Sequence, residues 1–194
     1  MPMLAATVAE AGETFHALTA VAVTVGPGAF TGIRIGLAAA RGIGLAAAIP
    51  VVGVTTFAAV AQAIPEAERI DRDILALLDS KRGDVFVQQF TPERVPVGPP
   101  AILSPAAVSY RSASGSFILA GDGISIVRPY MEGINLSADY STAAGPVDAR
   151  WVAQLAAQRA ADRSGQPPIP LYLRAPAVRT PTHASSSSAA AVKP

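Results

Sequence analysis

Residues 20–54 read AVAVTVGPGAFTGIRIGLAAARGIGLAAAIPVVGV, and their hydrophobic pattern changes along the stretch. Residues 21–25 are a continuous run of apolar and β-branched side chains bounded by turn residues, which is typical of a strand buried on both faces. After the GPG turn at residues 26–28, we expect a helix over residues 31–48. Residues 50–54 begin with a proline that ends this helix and predict a second buried strand. Strand, helix and strand in this order form a βαβ unit, so the stretch predicts an α/β fold with a parallel sheet.

The composition of the whole chain narrows the classes of protein that it can belong to. Of its 194 residues 51% are hydrophobic and 15% are charged, which is enough apolar material for one domain or two small ones and excludes disorder of the whole chain. The absence of Cys excludes disulfides and thiolate metal sites, and His16 and His183 form no pair with zinc-binding spacing. The net charge of +1 provides no broad electrostatic surface for nucleic acid.

The second half of the chain predicts a different kind of sheet. Residues 74–79 and 85–90 flank a short turn that contains glycine, which indicates an antiparallel hairpin. Residues 92–105 are rich in proline and are expected to be a connection without regular structure. A strand is expected at residues 116–120, and an amphipathic helix between residues 146 and 165.

A dense charge cluster at residues 66–72 marks the expected boundary between these two halves. A helix capped by Thr55 or Thr56 precedes the cluster, and a low-complexity segment ends the chain. We therefore expect a first domain over residues 1–68, a second domain over residues 69–180 and a disordered tail over residues 181–194.

The glycine-rich turn formed by Gly26, Pro27, Gly28 and Thr31 is open to two interpretations. A glycine-rich loop that leads from a strand into a helix can present free backbone N–H groups to a phosphate. The spacing matches neither the dinucleotide fingerprint nor the P-loop, whose lysine is missing. The alternative, which we favour, is a tight strand-to-helix turn in which Thr31 caps the helix.

Small residues recur at every fourth position of the predicted helix, at Gly32, Gly36, Ala40, Gly44 and Ala48. They form one stripe without a side chain larger than a methyl group. Glycine in a helix interior costs about 1 kcal/mol relative to alanine, so a close approach of another backbone should offset that cost. The stripe packs either on the chain's own sheet or on a helix of a partner, and the spacing alone does not decide between the two.

Candidates for catalysis are few. Asp79, Asp84 and Asp122 follow predicted strands, where a carboxylate can act as a base, but an Asp in a turn more often accepts backbone hydrogen bonds. Lys81 and Arg82 lie at the hairpin turn, where exposure to solvent is favoured over an RNA contact. We therefore expect no catalytic residue, no metal site and no cofactor.

Several segments resemble a known family. Residues 25–42 and 49–54 closely resemble the signature of the TsaB family, also called YeaZ, which belongs to the bacterial machinery for threonylcarbamoyladenosine in tRNA. Residues 77–86, 120–123 and 170–174 look like later landmarks of the same family. The resemblance implies a two-domain actin-like or RNase-H-like ATPase fold, here with an N-terminally incomplete first domain.

The resemblance also implies a function and partners. The family acts as a non-catalytic scaffold that pairs through helices of its first domain with TsaD, the metal-bearing transferase. The ATPase TsaE joins that pair, and contact with tRNA is indirect. We accordingly expect a cytoplasmic protein without membrane contact. The residues expected at the partner interface are Gly32, Ile33, Arg34, Gly36, Leu37, Ala40 and Arg41.

Two alternatives to the scaffold role remain open. The chain could form a homodimer through the same helix without TsaD. It could instead be a peptidase or an ATP hydrolase that uses Asp79 or Asp122. The poor catalytic inventory favours the scaffold over the enzyme.

Overall fold

The computed structural model describes residues 2–113, 116–134, 138–143, 145–161 and 168–174. The helices are α1 (Pro2–Glu10), α2 (Phe30–Ala47), α3 (Thr56–Ala63), α4 (Pro105–Ala113), α5 (Ile124–Gly133) and α6 (Ala149–Ala161). The strands are β1 (Val21–Gly26), β2 (Val51–Thr55), β3 (Asp73–Asp79), β4 (Val85–Phe90), β5 (Pro96–Leu103), β6 (Phe117–Ala120) and β7 (Asp139–Tyr140). Short 3-10 turns at Phe15–Ala17 and Glu66–Glu68 complete the regular structure of these residues.

The first sheet consists of β1 and β2, which are parallel and paired from Val21 opposite Val51 to Thr24 opposite Val54. Helix α2 covers one face, where Val23 and Val25 pack against apolar residues of the helix. Helix α6 covers the other face. The predicted βαβ unit is therefore confirmed, and its strands are apolar throughout because both faces are covered.

The second sheet has the strand order β5-β4-β3-β6-β7. Strands β3 and β4 form the predicted antiparallel hairpin, whereas β6 is parallel to β3 and β7 is parallel to β6. Ile74, Leu75, Ala76 and Leu77 of the central strand β3 are fully buried and alternate between two hydrophobic clusters, one on each face of the sheet. Mixed strand directions and helices on the faces confirm an α/β architecture.

Helix α3 joins the two sheets. Thr55 accepts a hydrogen bond from the backbone N–H of Ala58 and so caps the helix, as predicted. Phe57 and Val60 of α3, and Ile64 just after it, pack against residues of β3 and β4. The same helix contacts α6 and the first sheet. The connection between the sheets is therefore a buried helix rather than a free linker.

Two expectations about local structure are wrong. Helix α2 begins at Phe30 after Ala29, so Thr31 lies inside the first turn and caps nothing. Residues 96–103, expected to be a connection, form strand β5. This strand lies at the edge of the second sheet, where a proline needs no partner for the N–H that it lacks.

The predicted division between residues 68 and 69 stays a prediction. Helix α6, which that division places in the second domain, packs on the first sheet: Val152 and Ala156 contact Val52 and Val54. The tail at residues 181–194 and the helix stop near Gly165 lie outside the described residues.

Candidate functional site

Other residues of the same chain occupy the space beside the glycine-rich turn. Gly26 has a φ of +108°, and a Cβ at this position would lie 2.8 Å from the Leu171 carbonyl oxygen and 2.9 Å from Cδ1 of Ile33. Pro27 is buried, whereas Gly28 and Thr31 are exposed. Glycine is therefore required at position 26 by the close approach of another backbone, which supports the structural interpretation of the turn.

The inner face of α2 contains most of the small-residue stripe. Ala40 and Gly44 are buried, together with Ile33 and Leu37, against the first sheet. A Cβ on Gly36 would meet Cγ2 of Val23 at 3.8 Å. Of the two alternatives left open by the spacing, the structure places this part of the stripe on the chain's own sheet. Ile33, Leu37 and Ala40, expected at the partner interface, point toward that sheet.

The opposite side of α2 presents an apolar surface that the sequence interpretation missed. We call this surface the outer face and define it by Ile35, Ala38, Gly42 and Leu45. Ile35 is 66% exposed and Leu45 is 86% exposed, with Ala38 and Gly42 exposed between them. Their spacing of three, four and three residues is the spacing of a helix that packs on another helix. That spacing was the signal available in the sequence, but the more regular stripe of small residues concealed it.

A shallow apolar groove adjoins the outer face. It has a volume of about 380 Å³ and is lined by Phe15, His16, Ala39, Gly42, Ile43, Ala46 and Ala47.

Helix α1 is exposed along most of its length: none of its residues is buried, and Met3 is 79% exposed. Among the described residues, α2 is also the one helix whose length and composition would allow it to cross a membrane.

Arg34 and Arg41, also expected at the partner interface, contact residues 168–172 of the same chain. Arg34 Nε donates a hydrogen bond of 3.1 Å to the Tyr172 hydroxyl, and its guanidinium carbon lies 3.8 Å from the centre of the Phe30 ring. Arg41 Nη2 donates a hydrogen bond of 2.8 Å to the Pro168 carbonyl oxygen. Gly32, the remaining expected residue, is exposed in the first turn of α2.

A cleft of about 770 Å³ lies between the two sheets. Its walls are mostly apolar, and charged side chains of the β3–β4 turn and its neighbours line part of it. The apolar lining includes Pro27, Phe30, Leu78, Phe86, Val147, Leu171 and Leu173, and the charged lining includes Asp79, Lys81, Arg82, Asp122 and Arg174.

The carboxylates near the cleft hold the turns together. Asp122 Oδ1 accepts the backbone N–H of Asp79 at 2.9 Å, and Asp79 Oδ1 accepts the N–H of Lys81 at 2.6 Å. The hydrogen bond from the Lys81 ammonium lowers the pKa of Asp79. Asp79 therefore has the predicted turn role, whereas Asp122 ties its own loop to the end of β3.

Asp84 has two partners of its own. It accepts a hydrogen bond from the Ser80 hydroxyl and forms an ion pair with Arg174. The Ser80 hydrogen bond, and after it the Arg174 guanidinium, lower the pKa of Asp84. A carboxyl that is kept ionised in this way is suited to anchoring cations rather than to donating protons. Within the residues that the structure describes, no group of three or more His, Asp or Glu side chains could hold a metal ion.

The two sheets, their covering helices and the cleft between them define the actin-like, RNase-H-like class of α/β proteins, as the sequence resemblance implied. The model of the family described as TsaD, tRNA N6-adenosine threonylcarbamoyltransferase, matches residues 1–146. The chain belongs to this family, and its resemblance to TsaB (YeaZ) is confirmed by the relatives that it matches.

Curated relatives include two proteins named tRNA threonylcarbamoyladenosine biosynthesis protein TsaB. The one from Escherichia coli strain K12 is 30% identical over 129 residues, which is 63% of this chain and 55% of the relative. The one from Haemophilus influenzae is 32% identical over 95 residues, which is 49% of this chain and 40% of the relative. The chain thus spans about half the length of the curated relatives that it matches.

Solved structures show the same likeness over more of the chain. YeaZ from Pseudomonas aeruginosa superimposes with a TM-score of 0.69 and 27% identity, covering 88% of this chain and 82% of that one. A second structure, described as an uncharacterized protein from the same organism with similarity to peptidase YEAZ, gives a TM-score of 0.72 and 29% identity over 89% of this chain and 82% of its own.

Proposed function

We propose that the chain is a non-catalytic scaffold subunit of the bacterial complex that makes threonylcarbamoyladenosine in tRNA, and that it binds TsaD through the outer face of α2. In this proposal TsaE joins the pair of subunits, tRNA is contacted indirectly and the complex works in the cytoplasm. The relatives named as TsaB support the pathway. The single observation that supports the binding surface is the exposed apolar outer face of α2.

The energetics of the outer face favour a covered state. Burying a side chain of the size of Ile35 or Leu45 stabilises by about 1.5–3 kcal/mol relative to leaving it exposed. Ala38 and Gly42 between them leave room for a second helix to approach closely. No element of the described residues covers this face, although the opposite face of the same helix is fully packed.

Helix α1 is exposed as well. It has nine residues and buries none of them. An isolated helix of that length is marginal in water, because nucleation is costly and few hydrogen bonds offset the cost. A partner that packs on α1 would supply burial that this helix does not have within the described residues.

The chemistry near the cleft supports a scaffold rather than an enzyme. Asp79 and Asp122, the residues of the alternative hydrolase, both accept backbone hydrogen bonds, Asp79 from Lys81 and Asp122 from Asp79. The pKa of Asp79 is lowered rather than raised, which does not favour a role as general acid at neutral pH.

The binding proposal is tested with two matched isoleucines. Ile35 on the outer face is 66% exposed, and Ile70, in the segment before β3, is 62% exposed. The variant Ile35→Asp should lower the affinity for purified TsaD more than tenfold, since each 1.4 kcal/mol corresponds to about a factor of ten. The variant Ile70→Asp should bind like the parent chain. Titration calorimetry measures both, and circular dichroism shows that both are folded.

The same two variants distinguish binding to TsaD from formation of a homodimer. Light scattering shows whether the parent chain is a dimer and whether Ile35→Asp dissociates it. If it does, and TsaD binds neither the parent nor the variant, the outer face is a self-association surface and the scaffold proposal fails. If the two variants bind TsaD with equal affinity, the interface with TsaD does not include the outer face of α2.

A further inference from the structure

Residues 168–174 connect the first sheet to the second across the mouth of the cleft. The Leu171 N–H donates a hydrogen bond of 2.7 Å to the Val25 carbonyl oxygen, and the Leu171 side chain packs on the core of the first sheet. Two residues later, Leu173 packs on the core that α3 shares with β3 and β4. Arg174 then forms an ion pair with Asp84 at the end of the hairpin turn. Leu171, Leu173 and Arg174 thus attach this segment to both sheets.

Helix α2 holds the other end of this segment. Arg41 donates a hydrogen bond to the Pro168 carbonyl oxygen, and Arg34 donates one to the Tyr172 hydroxyl. The Tyr172 ring lies 5.2 Å from the ring of Phe30, centre to centre, and the guanidinium of Arg34 packs on Phe30. Both arginines of α2 are therefore directed at residues 168–174.

We propose that residues 168–174 form a clasp that holds the two sheets at a fixed separation and so sets the width of the cleft. Arg34, Arg41 and Asp84 are its positioning residues. The clasp is also a wall of the cleft, because residues 171–174 line it. Release of the clasp therefore widens the cavity directly.

The polar attachments of the clasp are of a kind that can open while both cores stay packed. The side chains of Arg174 and Asp84 remain 32% and 27% exposed, so water competes for their ion pair. Arg34 and Arg41 are exposed as well. The cores of the two sheets are fully buried, and helix α3 joins them independently of the clasp. This difference in burial makes the clasp a weaker connection between the sheets than helix α3.

The absence of cysteine in the sequence permits a clean distance measurement. Spin labels at Ala29→Cys and Arg82→Cys report on the two sheets, since Ala29 follows β1 and Arg82 lies in the turn between β3 and β4. Both positions line the cleft and are exposed. Double electron–electron resonance on the labelled chain should give one narrow distance distribution. Adding Arg174→Ala should shift the distribution to longer distances and widen it, and the double variant Arg34→Ala with Arg41→Ala should do the same.

The matched control is Arg150→Ala, which removes an arginine from the ion pair with Asp148 at the start of α6; neither residue lines the cleft. Its distribution should equal that of the parent. Arg174→Lys, which keeps the charge, should show a smaller shift than Arg174→Ala. Circular dichroism confirms folding, and Asp84→Asn tests the same attachment from its other end if Arg174→Ala does not fold. Unchanged distances in the Arg174 and Asp84 variants, or an equal shift in the Arg150 control, would overturn the proposal. The measurement uses the chain alone and so does not depend on the proposed binding of TsaD.

Discussion

Gly44 and Gly42 lie two residues apart in α2, but their surroundings are opposite. A Cβ on Gly44 would lie 2.4 Å from Cγ2 of Val51 and 3.1 Å from the Ile49 carbonyl oxygen, whereas a Cβ on Gly42 meets nothing within 4 Å. Alanine stabilises a helix by about 1 kcal/mol relative to glycine. At Gly42 nothing opposes this stabilisation, whereas at Gly44 the new methyl group would clash with its neighbours.

These glycines provide a prediction with opposite signs. Gly42→Ala should raise the free energy of unfolding by about 0.5–1 kcal/mol, because alanine stabilises the helix and its methyl group clashes with no other atom. Gly44→Ala should lower it by about 1–3 kcal/mol, since the new methyl group overpacks the contact with the first sheet. Urea denaturation of the two variants beside the parent measures both. A stabilised Gly44→Ala variant would show that α2 does not approach β2 as closely as described.

Thr31 and Thr55 show that a capping residue in the sequence does not by itself predict a cap in the structure. Both Thr31 and Thr55 stand next to predicted helix starts and have the same capping chemistry. Only Thr55 has the geometry, because its hydroxyl accepts the Ala58 N–H at 3.1 Å. The close turn around Gly26 and Leu171 precedes the start of α2, and Ala29 takes the N-cap position there. A contact between residues so distant in sequence gives no local signal.

At the scale of the elements, the caps give the next prediction. Thr55→Ala should cost about 1 kcal/mol of stability, because it removes the side-chain acceptor from the start of α3. Thr31→Ala should change stability by less than about 0.5 kcal/mol, as is usual for an exposed substitution without a special role. Thermal denaturation of both variants checks the contrast. A larger loss for Thr31→Ala than for Thr55→Ala would contradict the described start of α2.

The elements that could be predicted are those whose pattern is local. The strands β1 to β4 and the helices between them follow from continuous apolar runs, turn residues and caps. Strand β5 could not be predicted in this way, because its prolines signal a loop unless its place at the sheet edge is known. The outer face of α2 was missed for a related reason. Two periodic stripes run along the helix, and only the packing shows that the small-residue stripe faces inward.

At the scale of the whole molecule, two segments return to partners that are far away in the sequence. Helix α6 crosses from the second half of the chain to the first sheet, and residues 168–174 connect both sheets. Neither return follows from hydrophobic periodicity, since periodicity gives the apolar face of an element but not the element that covers it. The α/β class, by contrast, follows from the order of elements alone.

The proposed docking of the outer face of α2 on TsaD can be measured with a spin label at the middle of that face. Ala38 on α2 and Ala153 on α6 are both exposed helical alanines in a chain without cysteine, so one spin label can be placed at either position. The mobility of the label is measured by electron paramagnetic resonance before and after TsaD is added. If TsaD covers the outer face, the label at Ala38→Cys becomes immobilised while the label at Ala153→Cys stays mobile. A label at Ala38→Cys that remains mobile in the TsaD-bound chain would show that TsaD does not dock on this face.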